Sequence, residues 1–409
     1  MRQLIALVAL LVADGRAGDT FNVRDFGAKG DKQTNDRGAI QAAMDDCAKA
    51  GGGTVVLPAG DYLSSTITFA TGVTLRLEKG ATLWAATRRE DYPQGSGSRG
   101  RLLFADGAER IGVTGEGTIN GQATGDLGKR WGAPETAEFR TGILLFQNCR
   151  DVTIRDVTVL YSDSWTVHLK RCEKVRIEEV TIKNNYRRLN SDGIDPNSCR
   201  DVVISRCNIT AGDDAIVLKS TEPFPCENIT VRDCVLESAT AALKLGTESK
   251  GDFRDILFEN CIIKNSPVGV GLYLKDGATM ERVTARGIKM EMCGPEHHDV
   301  APLFIDIEKR HPDSKAGTVR DVTFQGIDIL TGTGCLLQGM PGSPIERLTL
   351  RNVTLRVERP LHVRHEIVAL QQRFKLCNLC TTLFKFHVLF MKGLFVILLW
   401  LVLRRSSQS

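Results

Sequence analysis

The stretch Asp201-Val202-Val203-Ile204 returns further along the chain as Asn228-Ile229-Thr230-Val231, and after an equal interval as Asp255-Ile256-Leu257-Phe258. Each copy has apolar residues at its second and fourth positions, and this period of two is typical of a β-strand. One such unit cannot bury its own apolar face, so a repeat of this length indicates a solenoid of stacked units. Further copies have their first apolar residue at Val152, Val175, Val283, Val322 and Leu348, with weaker copies at Val73 and Ile111.

The repeat predicts an all-β fold, a right-handed parallel β-helix of about ten coils stacked roughly 4.8 Å apart. A chain of 409 residues would otherwise suggest several globular domains. A solenoid instead grows by adding coils. We therefore expect one elongated domain over residues 19–360, acting as a monomer.

Cysteines support the register of this repeat. Cys207, Cys234 and Cys261 are separated by the same interval as the strand copies, and they stand at the position that Val157 and Val180 occupy in earlier copies. We expect them to form an inward-facing stack in which each thiol acts as a small apolar group. The remaining cysteines show no metal-ligand spacing. The sequence leaves open whether Cys199 or Cys226 forms a disulfide in a loop.

A helix is predicted just before the repeats. Residues Asp36 to Cys47 have apolar side chains at helical spacing, and Gly51-Gly52-Gly53 follows as a stop. Such a helix could cover the first coil, whose open strand edge would otherwise invite aggregation.

The charge balance excludes one class of partner. The formal net charge is +4, from 53 Lys and Arg against 49 Asp and Glu, which is too small to argue for nucleic acid. Any preference for an acidic ligand must come from individually placed Lys and Arg. We expect no nucleic-acid partner, no cofactor and no metal site.

The two ends differ from the repeats. Residues 1–17 have Arg2 near the start, then an apolar run, and Gly15-Arg16-Ala17 at the end, which together predict a signal peptide and a secreted or periplasmic protein. Residues 361–409 form an atypical apolar tail. Its apolar stretch 388–403 is shorter than the roughly 20 residues of a spanning helix. The tail could be a marginal membrane anchor, a plug on the open coil or sequence foreign to the domain, and the abrupt change of composition favours the last.

Two acidic clusters lie within the repeats, Asn190-Ser191-Asp192-Gly193-Ile194-Asp195 and Gly212-Asp213-Asp214. Asp192 and Asp214 are separated by nearly the length of one coil, so they should meet on adjacent rungs. In a regular strand, the side chains of Asp213 and Asp214 would point to opposite faces of the sheet. The two can share one face only if the chain bends, and Gly212 permits a bend. Glycosidic cleavage needs one protonated and one ionised carboxyl group, and crowding separates their pKa values. A single such acid would more often be a turn residue.

These clusters resemble glycoside hydrolase family 28, the polygalacturonases and rhamnogalacturonan hydrolases. The resemblance covers roughly residues 20–357. It implies that Asp213 is the general acid and that Asp192 and Asp214 hold the attacking water. It also implies that the reaction inverts the configuration at the anomeric carbon. An inverting site predicts a gap of about 6.5 to 9.5 Å between acid and base. The motifs that carry the resemblance outside the acids are Phe21 to Asp31, the helix, Gly115 to Gly121 and Trp165-Thr166-Val167-His168.

The chain departs from the family pattern at two places. Ala241 stands where polygalacturonases have a histidine, and Tyr273-Leu274-Lys275 stands where they have Arg-Ile-Lys around a uronate carboxylate. Lys244 and Lys275 could supply the charge for an acidic sugar, or both could be ordinary solvated lysines. The residues assigned to substrate binding are Asn190, Asp195, Lys244, Glu248, Tyr273 and Lys275, with a turn role for Glu248 left open.

The sequence therefore predicts an O-glycosyl hydrolase that cleaves an acidic, pectin-type polysaccharide, either galacturonan or rhamnogalacturonan. Two alternatives remain. A calcium-dependent lyase on the same fold would use the carboxylates around a metal ion. A non-catalytic β-helix would only bind polysaccharide.

Overall fold

The computed structural model of the chain describes residues 19–93, 99–293 and 301–357. The predicted signal peptide, residues 1–17, and the apolar tail, residues 361–409, lie outside the described residues. Among the helices described, none has the length and apolar character needed to cross a bilayer.

Most coils of the described chain contribute two strands to a larger sheet and one strand to a smaller sheet. A representative coil consists of Arg200–Ser205, Asn208–Ala211 and Ile216–Ser220. Equivalent strands of successive coils pair in parallel. The predicted parallel β-helix is confirmed.

The register follows the sequence repeat. Val202 pairs with Val175 of the preceding coil and Ile229 of the next. Ile256 and Val283 continue the same row. These residues are buried and stack along the inside of the solenoid, because one parallel rung places equivalent side chains on the same face.

The larger sheet has 23 strands. They are Thr20–Asn22, Asp31–Asn35, Gly53–Leu57, Gly60–Ser64, Val73–Leu77, Ala81–Ala85, Glu109–Thr114, Thr118–Asn120, Arg150–Arg155, Thr158–Leu160, Glu173–Glu178, Thr181–Lys183, Arg200–Ser205, Asn208–Ala211, Cys226–Arg232, Val235–Ser238, Phe253–Glu259, Ile262–Lys264, Thr279–Arg286, Lys289–Glu291, Thr318–Thr331, Ile345–Glu346 and Thr349–Val357.

The smaller sheet has 10 strands, in agreement with the predicted number of coils. They are Ile67–Thr68, Arg99–Asp106, Arg140–Gln147, Val167–Lys170, Ile194–Asn197, Ile216–Ser220, Ala241–Ser249, Val268–Leu274, Ala301–Ile307 and Leu336–Gln338.

The α-helix Arg37–Lys49 lies at the predicted position and covers the first coil. Its apolar face buries Ile40, Met44 and Cys47 against the first strands. The helix ends as predicted at the glycines, where the Gly52 amide donates to the Cys47 carbonyl at 3.0 Å. Three 3₁₀ turns complete the described elements, at Val23–Phe26, Arg89–Asp91 and Lys129–Trp131.

The cysteine stack is confirmed. Cys207, Cys234 and Cys261 precede strands that pair in register, and all three are buried. They carry free thiols, as do Cys199 and Cys226, so the disulfide that the sequence left open is not formed.

One long loop, residues 121–139, leaves the coils between the strands Thr118–Asn120 and Arg140–Gln147. It folds onto the turn at residues 185–190. There Leu189 N donates to Leu127 O at 2.8 Å, and Arg188 Nη1 donates to Gly125 O at 2.6 Å. The loop therefore packs beside the segment that leads directly into Asp192.

Candidate active site

Two turns bring three aspartates together at the N-terminal ends of two neighbouring strands of the smaller sheet. Asp192 comes immediately before the strand Ile194–Asn197, and Asp213 with Asp214 comes immediately before Ile216–Ser220. Ile194 and Ile216 pair in register, so the two turns lie on adjacent rungs. One carboxylate oxygen from each of Asp192, Asp213 and Asp214 lies within 4.8 Å of the others. We call these three residues the acid cluster.

The bend that the sequence required for Asp213 is present. Asp213 and Asp214 lie between two strands, where the alternation of a strand does not apply, so neighbouring side chains can point to the same side. Gly212 makes the turn possible. A Cβ atom there would approach the Asn185 carbonyl oxygen to 2.3 Å and the Arg188 carbonyl oxygen to 2.5 Å.

The nearest oxygens of the acid cluster lie closer together than the predicted gap between acid and base. One oxygen from each residue lies within 4.8 Å of the others, whereas the carboxyl groups of an inverting site are expected to lie roughly 6.5 to 9.5 Å apart. The physical reason is that Asp213 and Asp214 are chain neighbours, and that one rung of about 4.8 Å separates them from Asp192. Carboxyl spacing in the unliganded site therefore does not indicate the stereochemical outcome.

Two members of the acid cluster are almost fully buried. Asp192 and Asp214 are 2% and 1% exposed, whereas Asp213 is half-buried. Lys244 and Lys219 lie against the two enclosed carboxylates. Asp213 is therefore the member that solvent or a sugar reaches most easily.

Asp214 has the environment of an ionised carboxylate. Its Oδ2 accepts from Lys244 Nζ at 2.8 Å, and its Oδ1 accepts from Ala241 N at 3.3 Å. Burial would raise the pKa of Asp214, but the charges of Lys244 and Lys219 and the donated hydrogen bonds outweigh burial and lower it below its ordinary value. Asp214 is thus the member suited to accept a proton.

Asp213 has the opposite character. Burial and the charge of Asp214 raise its pKa, against a smaller opposing effect of Lys244. Its Oδ2 accepts from Asn190 N at 2.9 Å. Thr240 Oγ1 lies 3.0 Å from Asp213 Oδ1 and 2.7 Å from Asp214 Oδ1. A hydroxyl group has one proton, so a protonated Asp213 donates to Thr240 while Thr240 donates to Asp214.

Asp192 is the third member of the acid cluster. Burial, together with the charge of Asp213, raises its pKa to about 8. Its Oδ2 lies 3.6 Å from Lys219 Nζ, and its buried Oδ1 has no hydrogen-bond donor among the described residues. An unpaired buried oxygen of this kind is costly, and a water molecule or a substrate hydroxyl would satisfy it.

A cation could in principle be held by the acid cluster, since its three oxygens are close together. Two ammonium groups already lie against these acids, however, with Lys244 at 2.8 Å from Asp214 and Lys219 at 3.6 Å from Asp192. Buried carboxylates are usually paired or bind a metal, and here lysines supply the pairing. This arrangement is less suited to calcium than an all-oxygen site.

Comparison with known proteins identifies the family. A model of glycosyl hydrolases family 28 matches residues 47–363, which include the whole acid cluster. The chain belongs to this family.

Relatives in family 28 are distant. Over 213 residues the chain is 32% identical to a Vitis vinifera protein described as "Probable polygalacturonase", a match that covers 48% of this chain and 43% of the relative. An "Endo-polygalacturonase" of Pectobacterium carotovorum subsp. carotovorum is 26% identical over 246 residues, 53% of this chain and 60% of the relative. The chain spans about half the length of the curated relatives it matches.

A solved structure supports the fold over a wider range. The hyperthermoactive exopolygalacturonase of Thermotoga maritima superposes with a TM-score of 0.70 at 22% identity, covering 82% of this chain and 87% of the other. At this identity the likeness concerns the fold, which is the parallel β-helix.

Three residues predicted to bind substrate contact or adjoin the acid cluster of this family 28 site. Lys244 forms an ion pair with Asp214. Asp195 is 0% exposed, because it lies on the strand behind Asp192, and burial with the nearby charge of Asp192 raises its pKa. Asn190 acts through its backbone amide on Asp213, while its side-chain oxygen accepts from Arg140 Nη1 at 3.0 Å. All three therefore support the acid cluster, and their predicted contact with substrate stays a prediction.

The other three predicted binding residues lie toward the later coils. Tyr273 stacks on Phe304 with ring centroids 4.4 Å apart. Lys275 Nζ lies 2.6 Å from Glu308 Oε2, so it is paired and not simply solvated. Glu248 is about one-third exposed and its Oε2 lies 3.5 Å from Lys219 Nζ. These side chains remain accessible for contact with a sugar.

Three further site residues were missed by sequence reasoning. Thr240 lies at a bend, where no periodic pattern indicates direction. Lys219 ends the apolar run Ile216-Val217-Leu218, and a lone lysine in such a run was the available signal. Arg130 comes from the long loop, which has no repeat partner, and its Nη2 donates to Gly212 O at 2.9 Å.

Proposed function

We propose that this chain hydrolyses glycosidic bonds of a pectin-type polysaccharide, galacturonan or rhamnogalacturonan, with inversion at the anomeric carbon. Asp213 gives its proton to the leaving glycosidic oxygen. Asp214 removes a proton from the water that attacks the anomeric carbon. Both roles follow from the two carboxyl groups that such hydrolysis requires.

The observation that carries the proposal is the hydroxyl group of Thr240 between Asp213 and Asp214. One proton on that hydroxyl favours one protonated and one ionised carboxyl group. The pKa of Asp213 is raised and that of Asp214 is lowered, in the directions that an acid and a base need.

Asp192 helps to hold the attacking water in this scheme. Burial and the charge of Asp213 raise its pKa, so it keeps its proton to a higher pH than Asp214 and can donate a hydrogen bond to that water. Asp214 is then the base. The family resemblance implies only that both residues hold the attacking water, and this proposal gives each of them a different part in doing so.

Tyr273 and Phe304 are half-buried and stack on each other beside Lys244, and in this proposal their exposed edges contact the sugar. We further propose that the chain acts outside the cytoplasm, where a plant-type polysaccharide is met, and that it acts as a monomer. Size-exclusion chromatography with light scattering tests the last point, and a dimer mass would overturn it.

The test is a product assay of the full chain on polygalacturonan, rhamnogalacturonan and aryl glycosides, each with and without a chelator. We expect new reducing ends with no unsaturated product, unchanged by the chelator. An unsaturated product that disappears with the chelator would establish a calcium-dependent lyase instead. Binding without any product would leave a polysaccharide-binding protein.

A further inference from the structure

We propose that Lys219 is a positioning residue of the hydrolase site, whose ammonium group fixes Asp192 and Glu248 around the sugar undergoing cleavage. This inference rests on the proposed function. It differs from the predicted substrate-binding role of Lys244 and Lys275, because Lys219 acts through carboxyl groups and does not grip a sugar carboxylate.

Lys219 lies at the centre of three carboxyl groups from two neighbouring coils. Its Nζ is 3.6 Å from Asp192 Oδ2, 4.0 Å from Asp195 Oδ1 and 3.5 Å from Glu248 Oε2. The residue is only 5% exposed. Its ammonium also lies 4.6 Å from the ring centroid of Trp165, a cation–π contact on the remaining side.

The carboxyl groups of Asp192 and Asp195 have few polar neighbours other than Lys219. Asp192 Oδ1 and both oxygens of Asp195 are buried with no hydrogen-bond donor among the described residues. The other buried lysine of the site, Lys244, is engaged with Asp214 at 2.8 Å. Without the Lys219 ammonium group these buried oxygens would lose a polar neighbour that no other described donor replaces, so the orientation of Asp192 and Asp195 would no longer be fixed.

The other charged or titratable groups near Lys219 do not replace it. The strand Val167–Lys170 presents His168, which burial keeps neutral with a pKa of about 3, and Lys170, whose Nζ lies 2.5 Å from Glu222. Asp195 faces Lys219 from the strand Ile194–Asn197, and the strand Ala241–Ser249 presents Lys244 and Glu248. Arg101, on the strand Arg99–Asp106, influences His168 and Asp195 through its charge.

Glu248 extends the arrangement to the substrate. It is about one-third exposed, whereas Lys219 and Asp192 are enclosed. Lys219 therefore joins an accessible carboxylate on one side of the site to a buried member of the acid cluster. A sugar hydroxyl bound by Glu248 would be held in fixed relation to Asp192, and small errors in such geometry cost up to about 100-fold in rate.

The experiment compares Lys219→Met with Lys170→Met. Lys170 is a matched control, because Lys170 pairs with Asn197 in the row of the smaller sheet that continues to Lys219, yet its ion pair with Glu222 lies outside the acid cluster. The readouts are kcat, KM and the pH dependence of kcat/KM on the substrate that the wild-type protein cleaves.

We expect Lys219→Met to lower kcat by about 100-fold with KM changed by less than about 3-fold, since the lost interaction positions reacting groups. The limb of the pH profile that reports ionisation of the base should move to higher pH, because a nearby positive charge is gone. Lys170→Met should leave all three readouts within about 3-fold of wild type.

A charge-balanced variant separates positioning from folding. Lys219→Met combined with Asp195→Asn removes one charge of each sign, so we expect it to fold, as judged by circular dichroism, while kcat stays low. Wild-type kcat in either variant would overturn the proposal, and so would failure of both to fold, because Lys219 would then serve the structure alone. A wild-type chain that cleaves nothing would instead refute the proposed function, and this inference with it.

Discussion

Asp213 and Asp214 are neighbours in the chain, yet their surroundings shift their pKa values in opposite directions. Asp213 is half-buried beside an ionised carboxylate, which raises its pKa. Asp214 receives hydrogen bonds from Lys244 and Thr240, which outweigh its burial and lower its pKa. The pair therefore holds one proton, on Asp213, over a range of pH that includes the ordinary aspartate pKa of about 3.9.

This separation predicts a bell-shaped pH profile. Activity needs Asp214 ionised and Asp213 protonated. Because the pKa of Asp214 is lowered, the acidic limb should lie below about pH 3.9, and because that of Asp213 is raised, the basic limb should lie above it. Steady-state kcat/KM measured across pH checks both limbs. A profile that only rises toward alkaline pH would contradict the assignment.

Thr240→Val should lower kcat by roughly 10- to 100-fold, because valine keeps the shape of threonine but removes the hydroxyl group between acid and base. Thr240→Ser, which keeps the hydroxyl, is the matched control and should retain most of the activity. Kinetics of the two variants on one substrate make the comparison. Equal activities of the valine and serine variants would show that the hydroxyl has no part in turnover.

The acid cluster could be predicted from sequence, but most of its supporting contacts could not. The distance of nearly one coil between Asp192 and Asp214 was sufficient to bring them together. Lys244 and Asp195 were predicted to bind substrate, but their positions against Asp214 and Asp192 were not predicted. Side-chain direction at a strand end depends on local bends and on charge partners from other coils, and a one-dimensional pattern contains neither.

The sequence predicted the register of the strands more accurately than the positions of the side chains in the site. Rows such as Val175, Val202, Ile229 and Ile256 pair as the repeat predicted, because a register slip of one residue would expose every buried side chain. The long loop, residues 121–139, was not predicted. It has no copy in other coils, so its packing on residues 185–190 is set by individual hydrogen bonds.

The helix Arg37–Lys49 gives a prediction about the end of the solenoid. Met44 is 1% exposed beneath it, so Met44→Ala should lower the free energy of unfolding by about 2 to 5 kcal/mol. Lys49→Ala, at an exposed site whose ion pair with Asp46 is on the surface, should change it by less than about 1 kcal/mol. Urea unfolding followed by circular dichroism measures both. Equal effects would mean that the helix does not cap the core.

For the molecule as a whole, the interior is a single continuous core along the solenoid, and cysteines occupy part of it. Nine of the ten described cysteines are buried, and Cys335 is half-buried. Buried thiols are enclosed by neighbouring coils above and below, so their exposure requires unfolding of the coils around them.

Thiol labelling checks this description. In the native protein, Cys207, Cys234 and Cys261 should resist a thiol reagent, and all three should react after denaturation without a reductant. Peptide mass spectrometry assigns the labelled positions, with Cys335 as the more accessible internal comparison. Failure to react after denaturation would indicate disulfides, and rapid native labelling would show that the stack is not enclosed.

The most direct test of the account is turnover by Asp213→Asn. We expect hydrolysis to fall by about 100- to 10,000-fold, with the β-sheet circular dichroism and the unfolding midpoint unchanged, because the variant loses a proton donor and keeps its shape. Asp233→Asn, on the exposed surface, is the control and should hydrolyse like the wild type. Wild-type turnover in a folded Asp213→Asn protein would contradict the account.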